Sequence, residues 1–288
     1  MNMIISMLAS EAAQAKIDVL PDVVVPVLIF AAIGAVAGTL LTLGSKFFAV
    51  EEDETVAKIT EALPNANCGA CGYAGCADYA KAVAAGNAPN NKCKPGGAAA
   101  AKVIAEIMGQ EVLETEREVA YVRCNGCKDA TEERYNFIST QSCSATERFY
   151  NGKGMCRTGC DGLGDCADVC DHNAICIVNG VAVVNPENCV ACGKCVSACP
   201  NNLIVIRPYK QKVDVRCSSN DIGKIAKDVC KNSCIGCKLC EKKCPVGAVT
   251  VSDNHASIDY SKCTNCGACA QACPRKCIEN KKGIVTTA

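Results

Sequence analysis

From Val23 to Leu43 the chain runs for 21 residues without a charge, VVVPVLIFAAIGAVAGTLLTL, long enough to cross a hydrocarbon layer as one helix. No second such run follows. After it comes an acidic stretch, Glu51 to Glu54, beyond which Val56, Ile59 and Leu63 recur at helical spacing up to Pro64. That pattern predicts a short amphipathic linker helix. Another helix is predicted from about Tyr73 to Ala85. Two later stretches, AICIVNGVAVV and AVTVSDNHASID, each read as two short strands joined by a turn, and Asn179-Gly180 is a strong type I′ signal.

The apolar run is expected to be an uncleaved anchor. Met1 to Asp22 carries Lys16 as its only basic residue, without the charged start of a secretory signal. Pro26 falls in the first turn or two of the helix, where it is tolerated, and Gly34 and Gly38 form a G-x-x-x-G face on which another membrane helix can pack. Lys16 on one side and Lys46 and Lys58 on the other give a slight bias that puts the C-terminal part inside.

Composition then changes the picture. Among 288 residues there are 27 cysteines, no tryptophan and five phenylalanines, and aromatics at 4% cannot build an ordinary core. Something else must hold the chain together, either disulfides or metal clusters. Thirty basic against thirty acidic residues argue against nucleic-acid binding. Two histidines, His172 and His255, leave little room for haem, copper or a histidine-rich zinc site.

Cysteine spacing decides between the two. Cys68, Cys71, Cys76 and Cys93 follow C-x2-C-x4-C-x16-C, with three ligands in one glycine-containing loop; this set alone suits zinc or a [4Fe-4S] cluster. Further on, Cys234, Cys237, Cys240 and Cys244 precede Pro245, and Cys263, Cys266, Cys269 and Cys273 precede Pro274. Each is the C-x2-C-x2-C-x3-C-P run of two-cluster ferredoxins, in which the fourth cysteine ligates the other cluster. One site therefore takes Cys234, Cys237, Cys240 and Cys273, and its mate Cys263, Cys266, Cys269 and Cys244. Thiolates meant for iron also argue for a reducing compartment, hence for a cytoplasmic position of everything after the anchor.

The pattern is duplicated. Subtracting 74 from Cys217, Cys230, Cys234, Cys240, Cys244, Cys263, Cys266, Cys269 and Cys273 lands on Cys143, Cys156, Cys160, Cys166, Cys170, Cys189, Cys192, Cys195 and Cys199. Leu163 stands opposite Cys237, and Asp171 replaces the proline. One cluster of the first copy is complete, with Cys189, Cys192, Cys195 and Cys170. The other has Cys160, Cys166 and Cys199 and lacks a thiolate, for which Cys156 or, second to it, Cys176 is the candidate. Cys124, Cys127 and Cys143 suggest one more cluster, for which Cys156 is again the candidate fourth ligand, and the spacing leaves open which of the two clusters it serves. Cys176, Cys217, Cys230 and Cys277 have no obvious cluster and read as small buried hydrophobes.

The fold class is thus α+β: segment 1–22, a transmembrane helix over 23–44, a linker helix over 45–63, a small α-helical [4Fe-4S] domain over 64–110, a connecting cysteine-containing segment over 111–142, and two tandem ferredoxin-like two-cluster modules over 143–208 and 209–288. Four to six [4Fe-4S] clusters are expected, with folding dependent on them. Such cubanes carry one electron each, so the chemistry is relay without a catalytic site of bond-breaking kind. No G-x-G-x-x-G or P-loop points to bound NAD, flavin or ATP. From Arg207 to Lys243 ten basic residues face four acidic ones, either balancing the cluster charge or steering an acidic carrier.

An N-terminal anchor, then NCGACGYAGC with a fourth cysteine before PGG, then ferredoxin modules ending CPRKCI, resembles the B subunit of the Rnf electron-transport complex across essentially the whole chain. Two ferredoxin modules match the longer versions of that family. The resemblance implies a single-pass component of the bacterial cell (inner) membrane, held by lipid contact through residues 23–43 with its cluster domains in the cytoplasm. Its implied partners are the other Rnf subunits and soluble ferredoxin. The implied activity is that of an ion-transporting ferredoxin:NAD oxidoreductase, in which this component takes electrons from reduced ferredoxin and passes them to membrane subunits. The competing reading is a membrane-tethered polyferredoxin serving a hydrogenase or another dehydrogenase.

Overall fold

The structure, a computed structural model, describes residues 24–47, 53–114, 116–134, 138 and 141–280, with the side chains of 45–47 left aside. The N-terminal segment with Lys16, the start of the apolar run at Val23, the side chain of Lys46, and Glu51 and Glu52 lie outside the described residues. The chain divides into two compact units at Asp53 and Glu54.

Among the described residues the first unit holds one helix, α1 (Val25–Phe47). Its window Val25–Gly44 has a mean hydropathy of 2.2 and buries nothing, so large apolar side chains such as Phe30 and Leu41 stand out on every side. Thr39 and Thr42 fold their hydroxyls back onto the carbonyls of Ala35 and Gly38, each at 3.0 Å. Both hydroxyls are thereby satisfied within the helix, as hydrocarbon surroundings require. Nothing lies within 4 Å of where a side chain would start at Gly34 or Gly38.

In the second unit, α2 (Glu54–Ala62), α3 (Cys76–Ala84) and α4 (Gly97–Met108) pack around Ile59, Leu63, Tyr79, Val83 and Ile104. The helix predicted from Tyr73 begins three residues later because the preceding residues belong to the cysteine loop. There Asn67 Oδ1 accepts the Cys76 amide at 2.9 Å and fixes the start of α3. Tyr79 donates its hydroxyl to the Pro89 carbonyl at 2.7 Å and accepts the Lys92 amide at 3.2 Å, tying the Cys93 approach to α3.

Two ferredoxin-like modules follow. The first holds β1 (Glu118–Val122) antiparallel to β4 (Ile204–Pro208), the hairpin β2 (Ile175–Val178) and β3 (Val181–Val184), and helices α5 (Cys143–Tyr150), α6 (Asp165–Asp168) and α7 (Lys194–Ala198). The second pairs β5 (Val213–Val215) with β8 (Ile278–Asn280) and β6 (Val249–Ser252) with β7 (His255–Ile258), and has helices α8 (Gly223–Val229), α9 (Leu239–Lys242) and α10 (Ala268–Ala272). Asn179 and Gly180 both take positive φ, +48° and +81°, as a type I′ turn demands.

The 74-residue offset carries over to the elements: β6, β7 and α9 minus 74 coincide with β2, β3 and α6. The opening strand breaks the rule, since 213 − 74 = 139 whereas β1 starts at 118, which is 21 residues earlier. The first module therefore begins inside the segment that local pattern assigns to a connection. Its EVAYV strand meets a partner some eighty residues away, a pairing that local periodicity does not encode.

Candidate metal-cluster sites

The same grouping, four cysteines around one space, recurs along the chain. Cys143, Cys160, Cys166 and Cys199 line a single cavity of the first module. Cys170, Cys189, Cys192 and Cys195 line a second. In the other module Cys234, Cys237, Cys240 and Cys273 surround a third, with Cys277 beside them. Cys269 has Cys263 and Cys244 as charge neighbours, and Cys266 is exposed on the same loop. In the helical domain Cys93 has Cys76, Cys68 and Cys71 around it.

Burial pushes the Cys166 thiol up to about 12, and the nearby Cys160, Cys143 and Cys199 sulfurs add to that. Cys195 is raised to about 11 by burial and by Cys189, Cys192 and Cys170, and Cys240 to about 11 by burial and by Cys234, Cys237 and Cys273. These three thiols resist ionisation unless a cationic core sits among them. Among the described residues no group of three His, Cys, Asp or Glu side chains closes onto a single metal ion. Zinc would draw four ligand atoms to within ~2.3 Å of one point. A ring of thiols around an open centre fits an iron–sulfur core instead.

Backbone amides supply the second requirement, hydrogen bonds to sulfur. Gly96, Ala174, Leu203 and Ala248 donate N–H to Cys93, Cys170, Cys199 and Cys244 at 3.4, 3.3, 3.4 and 3.2 Å. Gly162 and Gly236 let each hairpin tip lie directly on the loop that carries the first cysteines. A side chain at Gly162 would start 2.3 Å from the Gly180 oxygen, and one at Gly236 would start 2.9 Å from Asn254 Cα. Both pairs are related by the 74-residue repeat.

The first-module cavity lined by Cys160, Cys166 and Cys199 is also lined by Cys143, and neither Cys156 nor Cys176, the residues to which spacing points, lines it. Cys143 opens α5, whose start is fixed by Asp165: its carboxylate accepts the amides of Cys143 and Ser144 at 2.7 and 2.9 Å. Leu163, standing where the repeat would have a cysteine, donates its amide to the Cys143 sulfur. Cys176 is exposed on β2 and faces the Val183 carbonyl.

The grouping of Cys124, Cys127 and Cys143 with Cys156 is likewise divided. Cys124 and Cys156 line a cavity between the modules together with Cys217 and Cys230, while Cys127 packs against the first module's core. The signal for Cys217 and Cys230 lay in the repeat itself, which retains cysteine at both positions and at their counterparts Cys143 and Cys156. Cys277 is buried with its sulfur 3.5 Å from that of Cys273, and the first module has Leu203 at the corresponding place.

The basic stretch is on the surface: Lys224, Lys227, Lys238, Lys242 and Lys243 are exposed, as is Cys237. Exposed Ile222, Ile225, Leu239 and Val246 lie among them in sequence.

Comparison with known proteins agrees with this picture. Residues 63–95 match the family described as "Putative Fe-S cluster", residues 182–205 the 4Fe-4S binding domain, and residues 233–277 the 4Fe-4S dicluster domain. The chain is 41% identical to the B subunit of the ion-translocating oxidoreductase complex of Methanosarcina acetivorans, over 87% of this chain and 96% of the relative. It is 40% identical to the B subunit of the Na(+)-translocating ferredoxin:NAD(+) oxidoreductase complex of Acetobacterium woodii, over 89% and 77%. The B subunit of the proton-translocating ferredoxin:NAD(+) oxidoreductase complex of Clostridium ljungdahlii is 35% identical over 89% and 92%.

Proposed function

The chain belongs to the B-subunit family of the Rnf ion-translocating ferredoxin:NAD oxidoreductase complexes, and from that membership we propose that it is the cytoplasmic entry relay, taking electrons from reduced ferredoxin and handing them to membrane subunits. It carries several [4Fe-4S] clusters. When bound, each supplies a site for one electron at low potential.

The chain's own residues would hold five of them as follows. Cys68, Cys71, Cys76 and Cys93 take the cluster of the helical domain. Cys170, Cys189, Cys192 and Cys195 take the regular cluster of the first module, and Cys143, Cys160, Cys166 and Cys199 the irregular one. Cys234, Cys237, Cys240 and Cys273 take one cluster of the second module, and Cys244, Cys263, Cys266 and Cys269 the other. The amides aimed at sulfur favour the reduced, more negative state by spreading its charge.

Contiguity of these sites is the observation that carries the relay reading. Cys68 and Cys192 line one surface recess, so the helical domain's site adjoins the first module. Within that module Cys195 is a charge neighbour of Cys166. The helix α1 is long and apolar enough to tether the relay in a membrane, with lipid as its surroundings. Anaerobic purification of the intact membrane complex tests the proposal. Co-eluting flavoprotein and NADH-oxidising subunits are the expected result; a nickel or molybdenum enzyme in their place would overturn it.

A further inference from the structure

The two modules meet at a cavity that belongs to neither alone. Its walls carry the sulfurs of Cys124 and Cys156 from the first module and of Cys217 and Cys230 from the second. Of the three cavities already described, two likewise have four cysteines around one space, and the third has four with Cys277 beside them. Mutual proximity extends through the group: a side chain at Gly126 would start 3.5 Å from the Cys124 sulfur and 3.9 Å from that of Cys230, and Cys156 is a charge neighbour of Cys124, Cys217 and Cys230.

The amides are arranged as at the other sites. Gly126 donates N–H to the Cys124 sulfur at 3.4 Å, two residues on, and Ser219 and Asn232 donate to Cys217 and Cys230 in the same two-residue step. Cys127 is a charge neighbour of Cys230 but does not line the cavity. The segments around the space are fastened across the seam. Ser218 donates to the Thr158 carbonyl at 2.8 Å, Thr131 to the Val229 carbonyl at 2.9 Å, and Asn232 to the Asn125 carbonyl at 2.9 Å.

We propose that Cys124, Cys156, Cys217 and Cys230 hold a further [4Fe-4S] cluster that joins the two ferredoxin modules into one continuous conductor. The inference deepens the relay reading and rests on it for its role, though not for its ligands. On the first-module side the Cys160 amide donates to Cys124, so a ligand of the irregular cluster's site touches this one. On the second-module side the Cys234 amide donates to the Cys217 sulfur at 3.3 Å. One electron would enter from one module's neighbouring site and leave to the other's, the cluster alternating between its 2+ and 1+ states with no proton moved and no bond broken.

The test uses the full chain in its purified anaerobic complex and reads metal content and spectra instead of turnover. The expected wild-type content is about twenty-four iron atoms and as many acid-labile sulfides in this chain, six cubanes of four. Cys217→Ser and Cys230→Ser should each remove one cubane's worth of both, or convert one signal to that of a three-iron centre by electron paramagnetic resonance, with the other signals unchanged. Cys127→Ser and Cys176→Ser should leave content and spectra as they are. A wild-type content of about twenty irons overturns the proposal even if the serine variants fail to fold, and so does a loss on Cys127→Ser with none on Cys217→Ser. Neither outcome bears on which subunits co-elute, so failure of the relay assignment remains a separate result.

Discussion

Arg207 and Asp214 form an ion pair at the seam of the two modules, with Arg207 Nε 3.2 Å from Asp214 Oδ1 and side-chain exposures of 5% and 0%. One residue comes from β4 and the other from β5. Tyr260 donates its hydroxyl to the same carboxylate oxygen at 3.0 Å, and the guanidinium lies over the Tyr121 ring, 5.0 Å from its centroid. The seam thus holds a polar network of one arginine, one aspartate and two tyrosines.

Removing one member leaves the other buried and uncompensated, which costs about 3–5 kcal/mol in comparable sites. Asp214→Ala should therefore lower the temperature at which the visible cluster absorbance is lost. The double variant Arg207→Met, Asp214→Leu should lose less than the two single changes added together. Strict additivity would show that the two residues stabilise the seam independently.

Gln211, in the linker between modules, donates Nε2–H to the Cys263 sulfur at 3.2 Å and to the Val213 carbonyl at 2.9 Å. A hydrogen bond to a cluster sulfur favours the reduced state, so Gln211→Leu should make that centre harder to reduce. About 1 kcal/mol of lost preference corresponds to roughly 40 mV for one electron. A redox titration followed by electron paramagnetic resonance should move one midpoint negatively and leave the rest; an unmoved set of midpoints would refute this.

Tyr79 is raised to about 12 by burial, opposed by the Lys92 amide. A phenol shifted upward contributes stability that is complete below its ordinary value near 10 and is lost as pH rises through about 12. Wild-type iron release from the helical domain should therefore quicken across that interval, and Tyr79→Phe should flatten the dependence. At neutral pH the same variant, by stranding the Pro89 carbonyl and the Lys92 amide, should cost about 1–3 kcal/mol. Identical alkaline profiles in the two proteins would count against the assignment.

Reversal of Lys224, Lys227 and Lys238 to glutamate should slow reduction by ferredoxin about tenfold or more at low salt and remove its salt dependence, as loss of electrostatic steering does. All three are exposed and make no ion pair among the described residues. Stopped-flow reduction at two ionic strengths reads both effects. An unchanged rate with unchanged salt dependence would leave these lysines only the task of balancing cluster charge.

Local spacing made the hairpins legible, because Asn179-Gly180 and the alternating residues around it act over a few positions. The regular runs at Cys189 and Cys234 were legible for the same reason: a cubane held by one tight loop fixes its ligands close together in sequence. The pairing of β1 with β4 and the arrival of Cys143 beside Cys160 were not, since each joins residues brought together only by the folded module. Leu163 announced that a ligand was missing without saying where its substitute lay. Asp165, which caps α5 and so aims Cys143, is the residue that answers, and its part is visible only in three dimensions.

Where each hairpin tip rests on its glycine, at Gly162 under Gly180 and at Gly236 under Asn254, backbone is pressed against backbone with no room for a methyl group. A side chain at either position would push the hairpin tip off the loop that carries Cys160 or Cys234, so the smallest residue in each repeat sets how tightly that loop is clamped.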